Sequence, residues 1–253
     1  MAIIKMNFLS RQLKKKTNVL IYLPTDTFAD YKNGITTEFP GMKYQVLWLL
    51  HGGGGDDTDF HDFSNILYYA EQNKIAVVMP AGENFYLEPH YTYVTEELPG
   101  RLRLLLPFSS RREDNFIAGL SYGGDCAMRA AMEHPDRYGA ALILSAAGTD
   151  HHGDAKMRFD VYGLAEQNLK IGGPLPELIF GTGNKDSGFP YYEPIINKLD
   201  EMGLPIRRYF ADGDGHSWPF WDGAVKRALE EWFPIRRSVI LPETSAAETD
   251  GEV

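Results

Sequence analysis

The chain of 253 residues has one cysteine, Cys126. A single thiol rules out an intrachain disulfide and gives no basis for a thiolate zinc site. Long apolar runs are also missing: none approaches the roughly 18–20 residues that a membrane-spanning helix needs. Basic residues are in deficit, and the net charge of -10 argues against a nucleic-acid partner, because phosphate binding needs a basic surface. There is no internal repeat and no long low-complexity segment. The N-terminus alternates like a strand and only then reaches Lys14, Lys15 and Lys16, which is the reverse of a signal peptide. On this order the protein is expected to be cytoplasmic.

What is present is the profile of a globular protein, 43% hydrophobic and 24% charged. Eight segments read as strands: 3–9, 18–23, 45–50, 75–79, 115–119, 140–144, 177–181 and 206–210. The later ones are short continuous apolar runs, which suit strands buried on both faces of a mainly parallel sheet. The first two, separated by a basic stretch, look antiparallel. Helical spacing appears between them. Phe60, Phe63, Ile66, Leu67 and Ala70 predict a helix over 59–71, and further helices are expected over 124–134, 192–202 and 222–233, the last with Asp222 as N-cap. This alternation predicts an α/β fold, one doubly wound domain over 1–241. The segment 148–174 suits a small cap or a surface excursion, and the acidic, small-residue tail 242–253 is expected to be disordered.

Gly119-Leu120-Ser121-Tyr122-Gly123 is the strongest chemical signal, because it ends an apolar strand and opens an Ala-rich helix. A sharp strand-to-helix turn projects a serine hydroxyl into a crevice, and glycines are needed where side chains would collide. The helix start offers N–H groups to a developing oxyanion. A serine is inert at neutral pH without a base. In the chain order serine, acid, histidine, His216 follows the last strand, in Asp212-Gly213-Asp214-Gly215-His216, and is the best-placed base. His134 falls inside the serine's own helix, and His151 and His152 precede the seventh strand. Asp186, in the loop after that strand, is the favoured acid over Asp212 and Asp214, which read as turn formers. The run His51-Gly52-Gly53-Gly54-Gly55 ends the third strand and lets backbone amides approach a tetrahedral oxygen, so the N–H groups of Gly53 and Tyr122 are the expected oxyanion donors, with His51 orienting the loop. Phe85, Tyr86 and Trp218 are candidates to line the substrate pocket, with Tyr122, Phe85 and Tyr86 keeping its acyl side small. The acidic run Asp56 to Asp62 reads as capping and first-turn residues of the next helix and not as a metal site.

These motifs resemble the esterase family that includes esterase D, S-formylglutathione hydrolases and bacterial tributyrin esterases. The matching stretches are Leu49 to Gly53, Tyr93 to Pro99, Arg112 to Gly124, and Gly215-His216-Ser217-Trp218 with Trp221-Asp222. The likeness is greatest to the tributyrin esterases, in Arg112 to Ser121. The residue after the serine is often Met in that family and is Tyr122 here. The resemblance implies an α/β-hydrolase fold of eight mostly parallel strands, a triad of Ser121, Asp186 and His216, an oxyanion donor at Gly53, and no cofactor. The expected partner is a small acyl ester, and a homo-oligomer is compatible with the pattern. Besides a short-chain carboxylesterase, the same residues accommodate an S-formylglutathione hydrolase-type thioesterase, a carbohydrate acetyl or feruloyl esterase, and an acyltransferase to a sugar or alcohol. A fold retained only for binding is opposed by the intact serine, aspartate and histidine.

Overall fold

The computed structural model describes residues 1–85, 87–146 and 159–241. Its frame is one eight-stranded sheet: β1 (Ala2–Ser10), β2 (Lys15–Leu23), β3 (Val46–Leu50), β4 (Ala76–Pro80), β5 (Asn115–Leu120), β6 (Ala140–Leu144), β7 (Glu177–Gly183) and β8 (Ile206–Ala211). The order is β1-β2-β4-β3-β5-β6-β7-β8, antiparallel through β1, β2 and β4 and parallel from β4 to β8. This is the eight-stranded, mostly parallel α/β-hydrolase arrangement that the family resemblance implies. β3, β4, β5 and β6 are buried along their whole length, which is why they read as unbroken apolar runs. β1, at the sheet edge, alternates between exposed and half-buried positions until Ser10.

The helices in chain order are α1 (Phe28–Lys32), α2 (Asp59–Phe63), α3 (Ile66–Asn73), α4 (Glu88–Thr92), α5 (Leu98–Leu105), α6 (Tyr122–Glu133), α7 (Val161–Ile171), α8 (Phe189–Glu201) and α9 (Trp218–Arg227). A π-helical turn, Tyr93–Glu97, joins α4 to α5, and another, Ala228–Trp232, extends α9. One apolar cluster lies under α4 to α8 and the other under α2, α3 and α9, one on each face of the sheet.

Two helix expectations need correction. The helix predicted over 59–71 is two helices, broken at Ser64 and Asn65. Ser64 is extended, and its hydroxyl turns back to the carbonyl of Phe60. The Asn65 amide is taken by the carboxylate of Asp222 at 2.8 Å, which also accepts from the Tyr69 hydroxyl at 2.9 Å. Asp222 is therefore not the N-cap of the last helix. That helix begins four residues earlier, after Ser217, and Asp222 is an interior position that ties α9 to α3. Of the segment 148–174, α7 packs against α6, with Asn168 donating to the carbonyl of Met132 at 2.8 Å. Residues 147–158 and the tail 242–253 lie outside the described residues. Among the described residues no helix is long and apolar enough to cross a membrane.

Candidate active site

Strand ends set the site. In the parallel part of the sheet Leu50 pairs with Gly119, Leu120 with Leu144, Leu144 with Gly181, and Gly183 with Ala211. The chain therefore leaves β3, β5, β6, β7 and β8 along one edge, and ligand sites in open α/β sheets form outside the carboxyl ends of the strands.

Ser121 is the first residue past β5. Its φ of 52° and ψ of -119° lie where L-residues are rarely found, a strain of about 1–3 kcal/mol that the surroundings must hold. They do so from both sides: the Ser121 amide donates to the carbonyl of Leu144 at 2.8 Å, and its own carbonyl receives the Asp125 amide at 3.0 Å. The turn is tight enough that a Cβ on Gly119 would fall 2.3 Å from the Gly123 backbone. One on Gly123 would meet the carbonyls of Leu50 and His51 at 2.4 Å. The flanking glycines thus let α6 start against the end of β3.

His216 and Asp186 meet. The Nδ1 of His216 is 2.9 Å from Oδ2 of Asp186, across the loops after β8 and β7. Asp186 is only 5% exposed, and its other oxygen accepts the Gly188 amide at 3.0 Å. Burial pushes its carboxyl up, but the hydrogen bonds from His216, Gly188 and Ser145 and the charge of His216 together hold it below the usual carboxylate range. Asp212 is engaged elsewhere, accepting from Asn184 Nδ2 at 2.8 Å in the turn whose Gly213 has φ 82°. His134 ends α6, where its ring faces Glu96 at 3.8 Å. A twelve-residue helix puts it roughly 18 Å from Ser121. His151 and His152 lie outside the described residues.

The glycine run after β3 lies beside the serine. A Cβ on Gly52 would fall 3.5 Å from Cβ of Ser121, and one on Gly53 would touch the Tyr122 ring at 3.2 Å. His51, 2% exposed, fixes this loop. Its Nδ1 is 2.6 Å from the carbonyl of Gly52, and its Nε2 accepts the Gly82 amide at 3.1 Å. Accepting at Nε2 puts the ring proton on Nδ1, so the imidazole is neutral. Burial lowers its proton affinity, against the pull of the Gly52 carbonyl and of Asp59, Asp56 and Asp57.

Phe85 is 2% exposed, packed with its ring 4.9 Å from that of His51 behind the loop. Trp218 is half-buried, among Phe60 (5.2 Å), Phe63 (5.3 Å) and Trp221 (5.3 Å). Tyr86 lies outside the described residues. The acidic run before α2 folds on itself: Asp56 accepts the Thr58 amide at 2.7 Å and Asp59 the Asp56 amide at 3.3 Å. Among the described residues no three His, Cys, Asp or Glu side chains are grouped to hold a metal ion. Cys126 is buried in α6, and burial pushes its thiol up.

Sequence reasoning passed over Ser145 and gave Trp221, quoted only within a matching stretch, no role of its own. Ser145 is the first residue past β6, at φ 47°, and its hydroxyl oxygen accepts the indole N–H of Trp221 at 2.9 Å. Trp221 stands edge-on to His216, with ring centres 4.8 Å apart and planes at 89°.

Comparison with known proteins places the chain in a family. The family model Esterase, described as "Putative esterase", matches residues 10–160. The chain is 28% identical to an acetyl esterase of Caldicellulosiruptor saccharolyticus, over 91% of this chain and 97% of that protein. Among solved structures, the fluorophosphonate-binding serine hydrolase FphF of Staphylococcus aureus, with substrate bound, is 26% identical with a TM-score of 0.78. That match covers 90% of this chain and 97% of FphF. The S-formylglutathione hydrolase FrmB of the same organism shares the fold at 24% identity and a TM-score of 0.76, over 90% and 97% of the two chains. With more than half its length matched by the family model, the chain belongs to the esterase family of the α/β-hydrolase superfamily and is a carboxylic ester hydrolase.

Proposed function

We propose that this esterase cleaves short-chain acyl esters through an acyl-enzyme on Ser121, with His216 as general base and Asp186 as the carboxylate that orients it. The observation that carries the reading is the conjunction at one edge of the sheet. A serine held at φ 52° on a strand-to-helix turn shares that edge with a histidine bonded at 2.9 Å to a buried aspartate. In the first half-reaction Ser121 Oγ attacks the ester carbonyl carbon while Nε2 of His216 takes its proton. The tetrahedral intermediate then expels the alcohol, which receives that proton. Water repeats the sequence on the acyl-enzyme and releases the acid. Asp186 accepts from Nδ1 throughout, fixing the tautomer and stabilising the imidazolium.

The oxyanion is assigned to the amides of Gly53 and Tyr122. The Gly52 carbonyl and the Gly53 N–H belong to one planar trans peptide and point in opposite directions, so the hydrogen bond from His51 to that carbonyl sets where the N–H aims. The preference for short acyl groups is supported by the Tyr122 ring packed against Gly53, which crowds the space beside the serine.

A fluorophosphonate probe and a panel of nitrophenyl esters test the reading. The wild-type protein should be labelled at Ser121. Ser121→Ala should lose labelling and on the order of 10⁶ in kcat with its unfolding midpoint kept. A folded Ser121→Ala variant that is still labelled, or that turns over at a near-normal rate, overturns the assignment. S-formylglutathione, acetylated xylan and methyl ferulate run beside the panel decide the natural class of acyl donor.

A further inference from the structure

We propose that Ser145 is a positioning residue for the Asp186–His216 pair and that Trp221 is the anchor that sets the direction of its hydroxyl. The inference rests on the triad reading above and extends it by one layer.

The first observation is conformational. Ser145 has φ 47°, a left-handed backbone that favours glycine, yet it is a buried serine, 5% exposed. Its amide continues the sheet ladder to the carbonyl of Gly181 at 2.8 Å, so the conformation is built into the way β6 ends beside β7. A glycine would satisfy that backbone without strain. A serine kept there in its place points to work for the hydroxyl.

The second observation is directional. An indole N–H can only donate. With Trp221 Nε1 at 2.9 Å, the Ser145 oxygen is the acceptor, and the hydroxyl proton must go to another partner. That partner is assigned as the Asp186 carboxylate: Ser145 ends β6 beside the β7 end that leads to Asp186, and its hydroxyl is a minor contributor to holding that carboxyl below the usual range. The chain of donors therefore runs one way, from Trp221 to Ser145 to Asp186, and meets the donor from His216 Nδ1 on the same carboxylate. Trp221 closes the arrangement, because its ring also stands edge-on to the His216 imidazole at 4.8 Å. One indole thus steadies the base directly and the acid through Ser145. Other groups around the acid have separate tasks. The Gly188 amide occupies Oδ1, Thr182 reaches Oδ2 at 3.4 Å, and the Tyr192 phenol donates to the carbonyl of Ile143 at 2.7 Å. Among the described residues, Tyr192 lies within electrostatic reach of both Asp186 and Asp125, and Lys185 and Asp214 flank the same loop through the bond from the Lys185 amide to the Asp214 carbonyl at 2.8 Å.

A structural role alone, satisfying the Trp221 N–H, would be lost in a different way from a positioning role, and glycine separates the two. Ser145→Ala removes the hydroxyl and keeps the backbone strain, whereas Ser145→Gly removes both. If the hydroxyl positions the acid, both variants should lose about tenfold or more in kcat on nitrophenyl acetate at nearly unchanged KM, as outer partners of reacting groups do. Both should also move the acid limb of the kcat/KM profile to higher pH by about half a unit. A carboxylate with one donor fewer draws the proton on His216 more strongly. Their stabilities should differ, with Tm for Ser145→Gly above that for Ser145→Ala by roughly 2–4 °C. Trp221→Phe, which keeps a ring and frees the hydroxyl, should shift the profile in the same direction by less. The proposal is overturned if folded Ser145→Gly keeps the wild-type rate and acid limb while Asp186→Asn is crippled. If Asp186→Asn itself keeps the wild-type rate, the triad reading falls and this inference falls with it.

Discussion

Replacing His51 by phenylalanine keeps a buried ring in place but removes both hydrogen bonds that hold the glycine loop. The Gly82 amide, part-buried, loses its acceptor, which costs about 1–3 kcal/mol, and the Gly52 carbonyl loses a donor worth about 0.5–1.5 kcal/mol. Stability in urea should therefore fall by about 2–4 kcal/mol. Kinetically, deleting an oxyanion donor outright costs on the order of 10²–10³ in kcat. Here the Gly53 N–H survives but its peptide is released, so a loss of roughly 10- to 100-fold in kcat is expected, with KM changed little. The pH dependence gives a second, independent reading. Burial lowers the proton affinity of His51 in the folded state below the unfolded value of about 6.5. Below that value the unfolded chain binds the proton and the native one resists it. The stability contributed by neutral His51 is thus complete above about pH 6.5 and is lost as pH falls through the folded value. His51→Phe should flatten this part of the stability-versus-pH curve. A folded His51→Phe variant with the wild-type kcat, or with an unaltered acid slope in urea melts, refutes the assignment of His51 as the lock on the oxyanion loop.

Asp186→Asn should lower kcat by roughly 10⁴, the size of a wrong-tautomer effect, while Asp212→Asn stays within a few-fold of wild type; the reverse order in steady-state assays would move the acid to the Gly-Asp-Gly turn. On nitrophenyl esters kcat/KM should peak between acetate and butyrate and fall steeply by octanoate, because each further methylene is worth about 0.8 kcal/mol only while it fits. A decanoate optimum would refute the small pocket. Glu97 receives the Ser10 hydroxyl and the amides of Arg11 and Gln12, so Glu97→Gln should destabilise the protein by about 1–3 kcal/mol without changing kcat, and an unchanged urea midpoint would count against this clamp on the β1–β2 hairpin.

The eight strands were legible within a few residues at each end: β3 to β6, buried on both faces, are apolar almost throughout, while edge strand β1 shows itself by alternation instead. Ser121, His216 and Asp186 were legible from chain order, since each follows a strand that can be recognised. The break in the helix at Ser64 and Asn65 was not. It depends on a carboxylate 157 positions away, Asp222, and the local spacing of Phe60, Phe63 and Ile66 suits one continuous helix equally well. The helical stretch from Glu88 to Leu105 was also hidden, as Pro89, Pro99 and Gly100 interrupt its pattern. Ser145 gave no signal at all. In Leu142-Ile143-Leu144-Ser145 it looks like the polar end of a strand, and a positive φ has no mark in composition when the residue is not glycine. Phe85 shows a related gap: an aromatic near a glycine turn can face a substrate or support a loop, and spacing does not say which.

The bonds that step across the strand ends have a consequence for how such an enzyme can diversify. Ser121 donates to the carbonyl of Leu144, Ser145 to that of Gly181, and Asn184 and Lys185 to those of Ala211 and Asp214. Ser121 is thereby hung from the neighbouring strand β6, and the two residues that lead into Asp186 from the end of β8 and the loop after it. The spacing of the strand ends along this row is set by the distance between neighbouring strands, about 4.8 Å at a time. Loops beyond this row can lengthen, shorten or change composition without moving the reacting atoms, and so they can change which ester is admitted. The same scaffolding makes the sheet's twist the one property that such variation must leave alone.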